Sequence, residues 1–228
     1  MTNKTNIVIL TGAGISAESG LGTFRDSGGL WEKFKIEDVA TPEAWIKNPK
    51  LVLEFYNERR RQCKIAKPNK AHFALVELAE HFNVSIITQN IDDLHERAGS
   101  KNVLHLHGEI TKAKTSALSI DFFDIEDDIN IGDIKEKQQI RPHVVWFGES
   151  VPEMTNAETI AESADIFIVI GTSLNVYPAA GLVDHISSMC KLIIIDPNTV
   201  QLNDSSASLI SEKATVGVPS LVDKLIKE

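Results

Sequence analysis

The turn Thr11-Gly12-Ala13-Gly14-Ile15-Ser16-Ala17 directly follows the apolar run Ile7 to Leu10. It satisfies the spacing G-x-G-x-x-A, in which glycines let the backbone approach a pyrophosphate at a helix N-terminus. A tight strand-to-helix turn without a ligand is the plainer alternative. An ordinary dehydrogenase would continue into a helix, a second strand and an acid about 20 residues on. Glu32 stands there, but Gly20, Gly22, Gly28 and Gly29 interrupt the intervening stretch. That stretch reads as a long loop, with Phe24, Arg25 and Trp31 available to cover a ligand. Simple hydride transfer is therefore disfavoured.

Other polar groups follow apolar runs in the same way. Gln89, Asn90 and Asp92 come after Val84 to Ile87, and Gly171-Thr172-Ser173 after Ile166 to Ile170. Asp196 and Asn198 come after Leu192 to Ile195. An amide clamps a ligand without charge because it offers donors and acceptors together. Backbone amides and hydroxyls of a Gly-Thr-Ser turn can hold a phosphate or a ribose. Without a ligand these would be a polar loop capped by Asp92 and a serine–threonine turn. His107 titrates near working pH and suits general base chemistry. If Val103 to His107 is a strand, His105 points to the same face. Tyr56 and Arg59 are three apart, which puts both on one face of a helix.

These groups need a scaffold. The runs Ile7 to Leu10, Val84 to Ile87, Ile166 to Ile170 and Leu192 to Ile195 are apolar without alternation. That pattern predicts strands buried on both faces of a parallel sheet. Helical spacing of Phe73-Ala74-Leu75, Leu78-Ala79 and Phe82 lies between them, and Leu221 to Ile226 predicts a closing helix. Alternation of the two means an α/β fold with ligands at the carboxyl ends of the strands. The 228 residues suit one such unit with a small inserted lobe. A net charge of −9 fits a nucleic-acid backbone poorly. No apolar run approaches the ~18 residues of a membrane span. The opening MTNKTNIVIL is too short in its apolar part for a secretory leader. Two cysteines, Cys63 and Cys190, exclude a disulfide framework and a four-cysteine zinc site. A cytoplasmic location is expected. Bases crowd residues 56–70 and acids crowd 121–140, both read as solvated faces.

Gly12-Ala13-Gly14-Ile15-Ser16-Ala17-Glu18-Ser19-Gly20 with Thr23-Phe24-Arg25 resembles the signature of sirtuins, the NAD-dependent protein deacylases. Thr88 to Asp92 with Leu94-His95, then His107-Gly108-Glu109, resembles their catalytic centre. Arg141 to Glu149, then Gly171-Thr172-Ser173 with Val176-Tyr177-Pro178-Ala179, match later blocks in order. The similarity is greatest to the bacterial CobB-type and mitochondrial desuccinylase-like branches. The resemblance implies a Rossmann-like lobe at about 1–30, 70–107 and 143–228, and a small lobe at about 31–69 and 108–142. It implies NAD as cofactor and acylated protein lysines as partners, most simply with a monomeric enzyme. In the reaction so implied, the acyl oxygen attacks the anomeric carbon of the nicotinamide ribose and nicotinamide leaves. By the match to the His-Gly-Glu block, His107 would then serve as base for the attack of a ribose hydroxyl on the acyl carbon.

By the same resemblance, Gln89 and Asn90 order the ribose and a water, Asn90 being catalytic with His107. Asp92 engages the nicotinamide carboxamide. The implied cofactor site comprises Gly12, Ala13, Gly14, Ser16, Ala17, Thr23, Phe24, Arg25, Trp31, Gln89, Asn90, Ile91, Asp92, Gly171, Thr172, Ser173, Asp196, Asn198 and Ala214. Sirtuins commonly carry Asn and Glu where this chain has Asp196 and Asn198. Tyr56 and Arg59 match the pair that binds the distal carboxylate of succinyl- or malonyl-lysine, and a guanidinium fork suits that group. Ala17 leaves room for such a chain. Val144, Phe147, Gly148 and Glu149 would pair with substrate backbone as an added strand. Most sirtuins hold a structural zinc with two C-x-x-C pairs, yet residues 110–140 contain no cysteine or histidine. No metal is expected. Leu118, Ile120, Phe122, Phe123, Ile125, Ile129, Ile131 and Ile134 would pack the small lobe instead. The expected activity is removal of acetyl, succinyl or malonyl groups, releasing nicotinamide and O-acyl-ADP-ribose. A protein ADP-ribosyltransferase and a non-catalytic NAD-binding module are the alternatives.

Overall fold

A computed structural model describes residues 4–22, 34–115, 121–198 and 207–228. Six parallel strands form the main sheet, in the order Ser208–Ile210, Lys191–Ile195, Ile166–Ile170, Asn6–Thr11, Asn83–Thr88, Val103–His105. All four apolar runs are strands of it, and the Rossmann-like α/β expectation holds. The chain moves outward from the central strand Asn6–Thr11 first to one side and then to the other. The crevice lies where that order reverses, between the ends of Asn6–Thr11 and Ile166–Ile170.

Successive side chains of a strand point to opposite faces. Ile7 and Ile9 pack with Leu75 and Leu78 of helix Lys70–His81 and with Val218 and Leu225 of helix Ala214–Lys227. Val8 and Leu10 pack on the other face with Ala157 and Ala161 of helix Met154–Glu162 and with Leu182 of the 3-10 helix Ala179–Asp184. Both faces being buried, the strands show no polar alternation.

The closing helix starts earlier than expected, at Ala214. Gly217 and Pro219 disguise it. A Cβ on Gly217 would come 2.6 Å from Ile195 Cγ2, so the glycine serves close helix–sheet packing. None of the described helices is long and apolar enough to cross a membrane.

A smaller unit contains helices Ile36–Val39, Pro42–Lys47 and Pro49–Ile65 with an antiparallel sheet in the order Phe122–Asp124, Gly108–Lys114, Arg141–Val144. Thr41 and Asn48 cap two of these helices by accepting from Ala44 N and Leu51 N. Phe55 is buried beside Tyr56, Val144 and Trp146, whereas Leu53, Ala113, Ile129 and Ile140 form a second cluster. The packing expected from the 118–134 segment is only partly realised. Ile129 is buried and Phe123 and Ile125 pack at its edge, but Phe122, Ile131 and Ile134 are 48%, 55% and 65% exposed. Phe122 instead stacks on His143, and Ile134 belongs to a two-stranded hairpin outside the three-stranded sheet. Leu118 and Ile120 lie outside the described residues.

The basic and acidic stretches are not simply two solvated faces. Arg61 forms an ion pair with Asp128, and Lys64 donates to the Glu126 carbonyl. Between them Asn57 binds Ile129 at both backbone groups, donating to its carbonyl at 2.9 Å and accepting from its N–H at 2.9 Å.

Candidate active site

Three glycines set the crevice. Gly12 N–H donates to the Ile170 carbonyl at 3.0 Å, and Gly14 N–H donates to the Gly171 carbonyl at 2.9 Å. A Cβ on Gly12 would lie 2.6 Å from Thr172 Cβ, and one on Gly171 2.5 Å from Ile15 N. Gly171 also has φ +61°, a left-handed conformation suited to glycine. The resulting wall is bare backbone opening at the sheet's switch point. The residues present therefore fit a dinucleotide. Ala13 precedes the helical turn Gly14–Ala17, whose Ser16 is buried and whose Ala17 is half-buried.

Gln89 and Asn90 leave the strand Asn83–Thr88 directly into this wall. Asn90 is buried and donates from Nδ2 to the Gly12 carbonyl and to Ser16 Oγ, both at 3.2 Å. Gln89 Nε2 donates to Thr172 Oγ1 at 3.2 Å, and Thr172 Oγ1 also accepts from Leu174 N. Below them Thr88 and Thr11 share a hydrogen bond at 2.8 Å. Ile91 passes by, its carbonyl accepting from Ile110 N at 2.8 Å. Asp92 is buried and bonded to Leu94 N at 3.2 Å and to Ser16. Burial raises its pKa, and those two bonds oppose the rise. Ser16, Gln89, Asn90, Asp92 and Thr172 thus meet around one crevice, and Asp92 serves helix Leu94–Ala98 as well.

His107 lies in the turn beyond strand Val103–His105, so the expected strand stops two residues short. Its ring still reaches the loop, with Nδ1 at 3.0 Å from the Gln89 carbonyl. A carbonyl only accepts, so Nδ1 carries the proton and Nε2 keeps its lone pair. Burial lowers the pKa of His107, and the bond to Gln89 opposes that. The ring is held neutral with Nε2 ready to accept a proton.

The remaining expected residues are distributed as follows. Tyr56 is buried against Phe55 and Trp146, and burial raises its hydroxyl pKa. Arg59 is half-buried, with one guanidinium nitrogen 3.5 Å from the Gly22 carbonyl. Its charge is felt at Tyr56, Cys63 and Asp92. Val144 is buried, Phe147 is 43% exposed, and Gly148 turns the chain at φ +91°. Glu149 spends both carboxylate oxygens inside its own loop, on Arg141 at 2.6 and 3.2 Å and on Trp146 N at 2.9 Å. Arg141 also stacks on Trp146 and donates to the Val144 carbonyl. In the sequence Arg141 stands out only through its place in the Arg141 to Glu149 block, not through these contacts. Ser173 is half-buried beside Thr172, and Asn198 folds back on Asp196 with N–H to Oδ1 at 2.8 Å. Ala214 is buried in the core at the start of the last helix. Thr23, Phe24, Arg25 and Trp31 lie outside the described residues.

A profile of the Sir2 family matches residues 12–178. An NAD-dependent protein deacylase of Bacteroides thetaiotaomicron is 48% identical, over 97% of this chain and 98% of its own. One from Helicobacter pylori is 50% identical, again over 97% and 98%. Among solved structures, a Sir2 homologue in complex with NAD is 39% identical with a TM-score of 0.88, covering 98% of this chain and 90% of that one. Another, a Sir2 protein with deacetylated p53 peptide and 3'-O-acetyl ADP-ribose, is 31% identical with a TM-score of 0.81, over 98% and 93%. With the matched region spanning the glycine turn, the Asn90 loop, His107 and the Gly171 turn, this chain belongs to the Sir2 family.

Proposed function

We propose that this protein is an NAD-dependent protein-lysine deacylase. The observation carrying the reading is the convergence of His107 and Asn90 on one short loop. His107 is tied to the Gln89 carbonyl, and Asn90, the next residue, is tied to Gly12 and Ser16. Among the described residues, Nε2 of His107 has no partner, so it is the available base.

NAD, when bound, would supply an ADP-ribosyl group with nicotinamide as leaving group. Gly12, Gly14 and Gly171 would line its phosphates, and Asp92 and Asn90 would orient the nicotinamide and ribose. His107 would take a ribose hydroxyl proton at Nε2, which its lowered pKa leaves free at neutral pH. Relatives named as NAD-dependent protein deacylases support the activity, and the neighbour bearing a deacetylated peptide supports a protein substrate.

For the acyl group, Arg59 carries the finer proposal of succinyl- or malonyl-lysine. Arg59 is half-buried and its charge is felt at Tyr56 and Asp92, and a distal carboxylate would gain a charge-assisted bond from its guanidinium. Acetyl-lysine would remain a substrate. Incubation with NAD and acetylated and succinylated peptides, read by mass spectrometry, tests both levels. Unmodified lysine with O-acyl-ADP-ribose is expected. ADP-ribose retained on the peptide with the acyl group intact would replace the reading with a transferase.

A further inference from the structure

Both ring nitrogens of His105 face groups that can only accept. Nδ1 is 3.0 Å from the Asn90 carbonyl oxygen, and Nε2 is 2.9 Å from Glu96 Oε1. A neutral imidazole has one N–H, so one contact would set lone pair against lone pair. An imidazolium satisfies both, with Glu96 as countercharge. The ring is 8% exposed and its partner carboxylate 40%.

His107 offers the contrast. It makes the same Nδ1 contact to the preceding carbonyl, that of Gln89, but among the described residues no acid stands at Nε2. Two histidines separated by one residue thus hold consecutive carbonyls of the loop carrying Gln89 and Asn90. One is suited to be charged and the other to be neutral.

We propose that His105, kept as an imidazolium by Glu96, is a positioning residue that fixes the Asn90 backbone and holds a positive charge beneath Asn90 and Asp92. This rests on Asn90 and His107 forming the catalytic site. The groups acting on the ring come from every neighbouring element. Glu96 and His95 lie on helix Leu94–Ala98, Glu109 on strand Gly108–Lys114, and Asp92 on the loop, while Lys112 acts on Glu96. Burial alone would lower the pKa of His105, but its bond to Glu96 and the charges of Glu96 and Glu109 raise it overall. Its charge in turn favours ionised Asp92 and disfavours a proton on His95.

The test begins with the unmodified protein. Nitrogen-15 NMR of the histidine rings at about pH 7.5 should show both His105 nitrogens protonated and a single proton on His107. Glu96→Gln then separates charge from contact, because the new amide can donate to a neutral Nε2 while the Asn90 contact persists. The variant should lose about tenfold in kcat/KM at that pH, less than the ~10²-fold of a 1 Å misplacement. It should recover part of the loss at about pH 6, where the ring takes a proton unaided. Glu96→Asp should restore the wild-type pH profile in large part. A singly protonated His105 in the wild type, or a Glu96→Gln pH profile superimposable on the wild type, would overturn the proposal. The NMR result stands apart from turnover, so a failed deacylase reading would be told from a failed His105 assignment.

Discussion

Gly14 and Gly171 meet backbone to backbone, with a hydrogen bond of 2.9 Å and room for no side chain between them. A Cβ on Gly14 would stand 2.6 Å from Gly171 Cα and 2.9 Å from its carbonyl oxygen. Neither backbone can yield without opening the sheet's switch point. Gly14→Ala should therefore cost about 1–3 kcal/mol in urea unfolding, the usual penalty of overpacking. NAD affinity should fall with it. A stable variant with wild-type affinity would show that the contact is easily relaxed.

His107 is predicted to act as a neutral base. His107→Ala should lower deacylation by about 10²–10⁴-fold while NAD still binds. In the wild type, kcat/KM should decline on the acid side only below the ordinary imidazole range, because burial lowers the pKa of this ring. An acid limb centred above the model-peptide value near 6.5 would contradict the assignment.

The scaffold was legible wherever a local pattern carried the physics. Ile7 to Leu10 could be read as a strand because both of its faces are covered, and Gly12 and Gly14 because only glycine fits between two backbones. Where long-range partners decide the outcome, the reading failed. Arg61 and Asp128 belong to stretches read as separate solvated faces, and nothing local announces their pairing. Ile131 and Ile134 are apolar but stay exposed, and Phe122 stacks on His143 instead of joining the apolar cluster. Gly217 and Pro219 resemble breakers, yet helix Ala214–Lys227 runs through them because the sheet packs against its face. His107 was legible through its motif. His105 was not, since Glu96 reaches it from another element.

Arg59→Met keeps a long stem while removing the charged fork. The loss should fall on kcat/KM for succinyl-lysine, at roughly 1.5–3 kcal/mol for a charge-assisted bond. Acetyl-lysine should be affected far less. Equal losses on both peptides would assign Arg59 to the fold, through its contact with the Gly22 carbonyl.

Asn57 clamps helix Pro49–Ile65 to the segment around Ile129, bonding both backbone groups of that residue. Its removal would orphan the N–H and carbonyl of buried Ile129 and one bond from the Arg60 guanidinium, which is 2.8 Å from Asn57 Oδ1. Asn57→Ala should cost about 3 kcal/mol, given ~1–3 kcal/mol for each unsatisfied buried group and partial relief by water. Because residues 110–140 offer neither thiol nor imidazole, a strong chelator should leave the melting temperature unchanged. A chelator-sensitive transition combined with a near-neutral Asn57→Ala would reverse this assignment of roles.

His72 and His95 form a buried pair, ring centroids 5.0 Å apart, and acid should unfold the protein partly through them. His72 Nε2 and His95 Nδ1 have no hydrogen-bond partner among the described residues. A proton on either ring would be poorly solvated and close to the other. Burial pushes His72 down to about 4 from 6.5, against an opposing pull from Glu96, and burial also lowers His95 well below the ordinary histidine value. The unfolded chain therefore takes up protons before the folded one. Stability associated with His72 is complete above the unfolded value of 6.5 and is lost as pH falls towards about 4. The gap corresponds to about 3 kcal/mol for His72. His105 works in the opposite sense: its raised pKa gives stability that is full below the unfolded value and lost as pH rises through the folded one. His72→Gln keeps an acceptor for Asn69 N–H, which His72 Nδ1 now meets at 3.3 Å, but cannot titrate. Its unfolding free energy should fall less steeply with acid, by up to about 1.4 kcal/mol per pH unit, the slope of one proton. Urea titrations of both proteins between about pH 7 and pH 4.5 would decide, since parallel curves would mean that His72 is not part of the acid response.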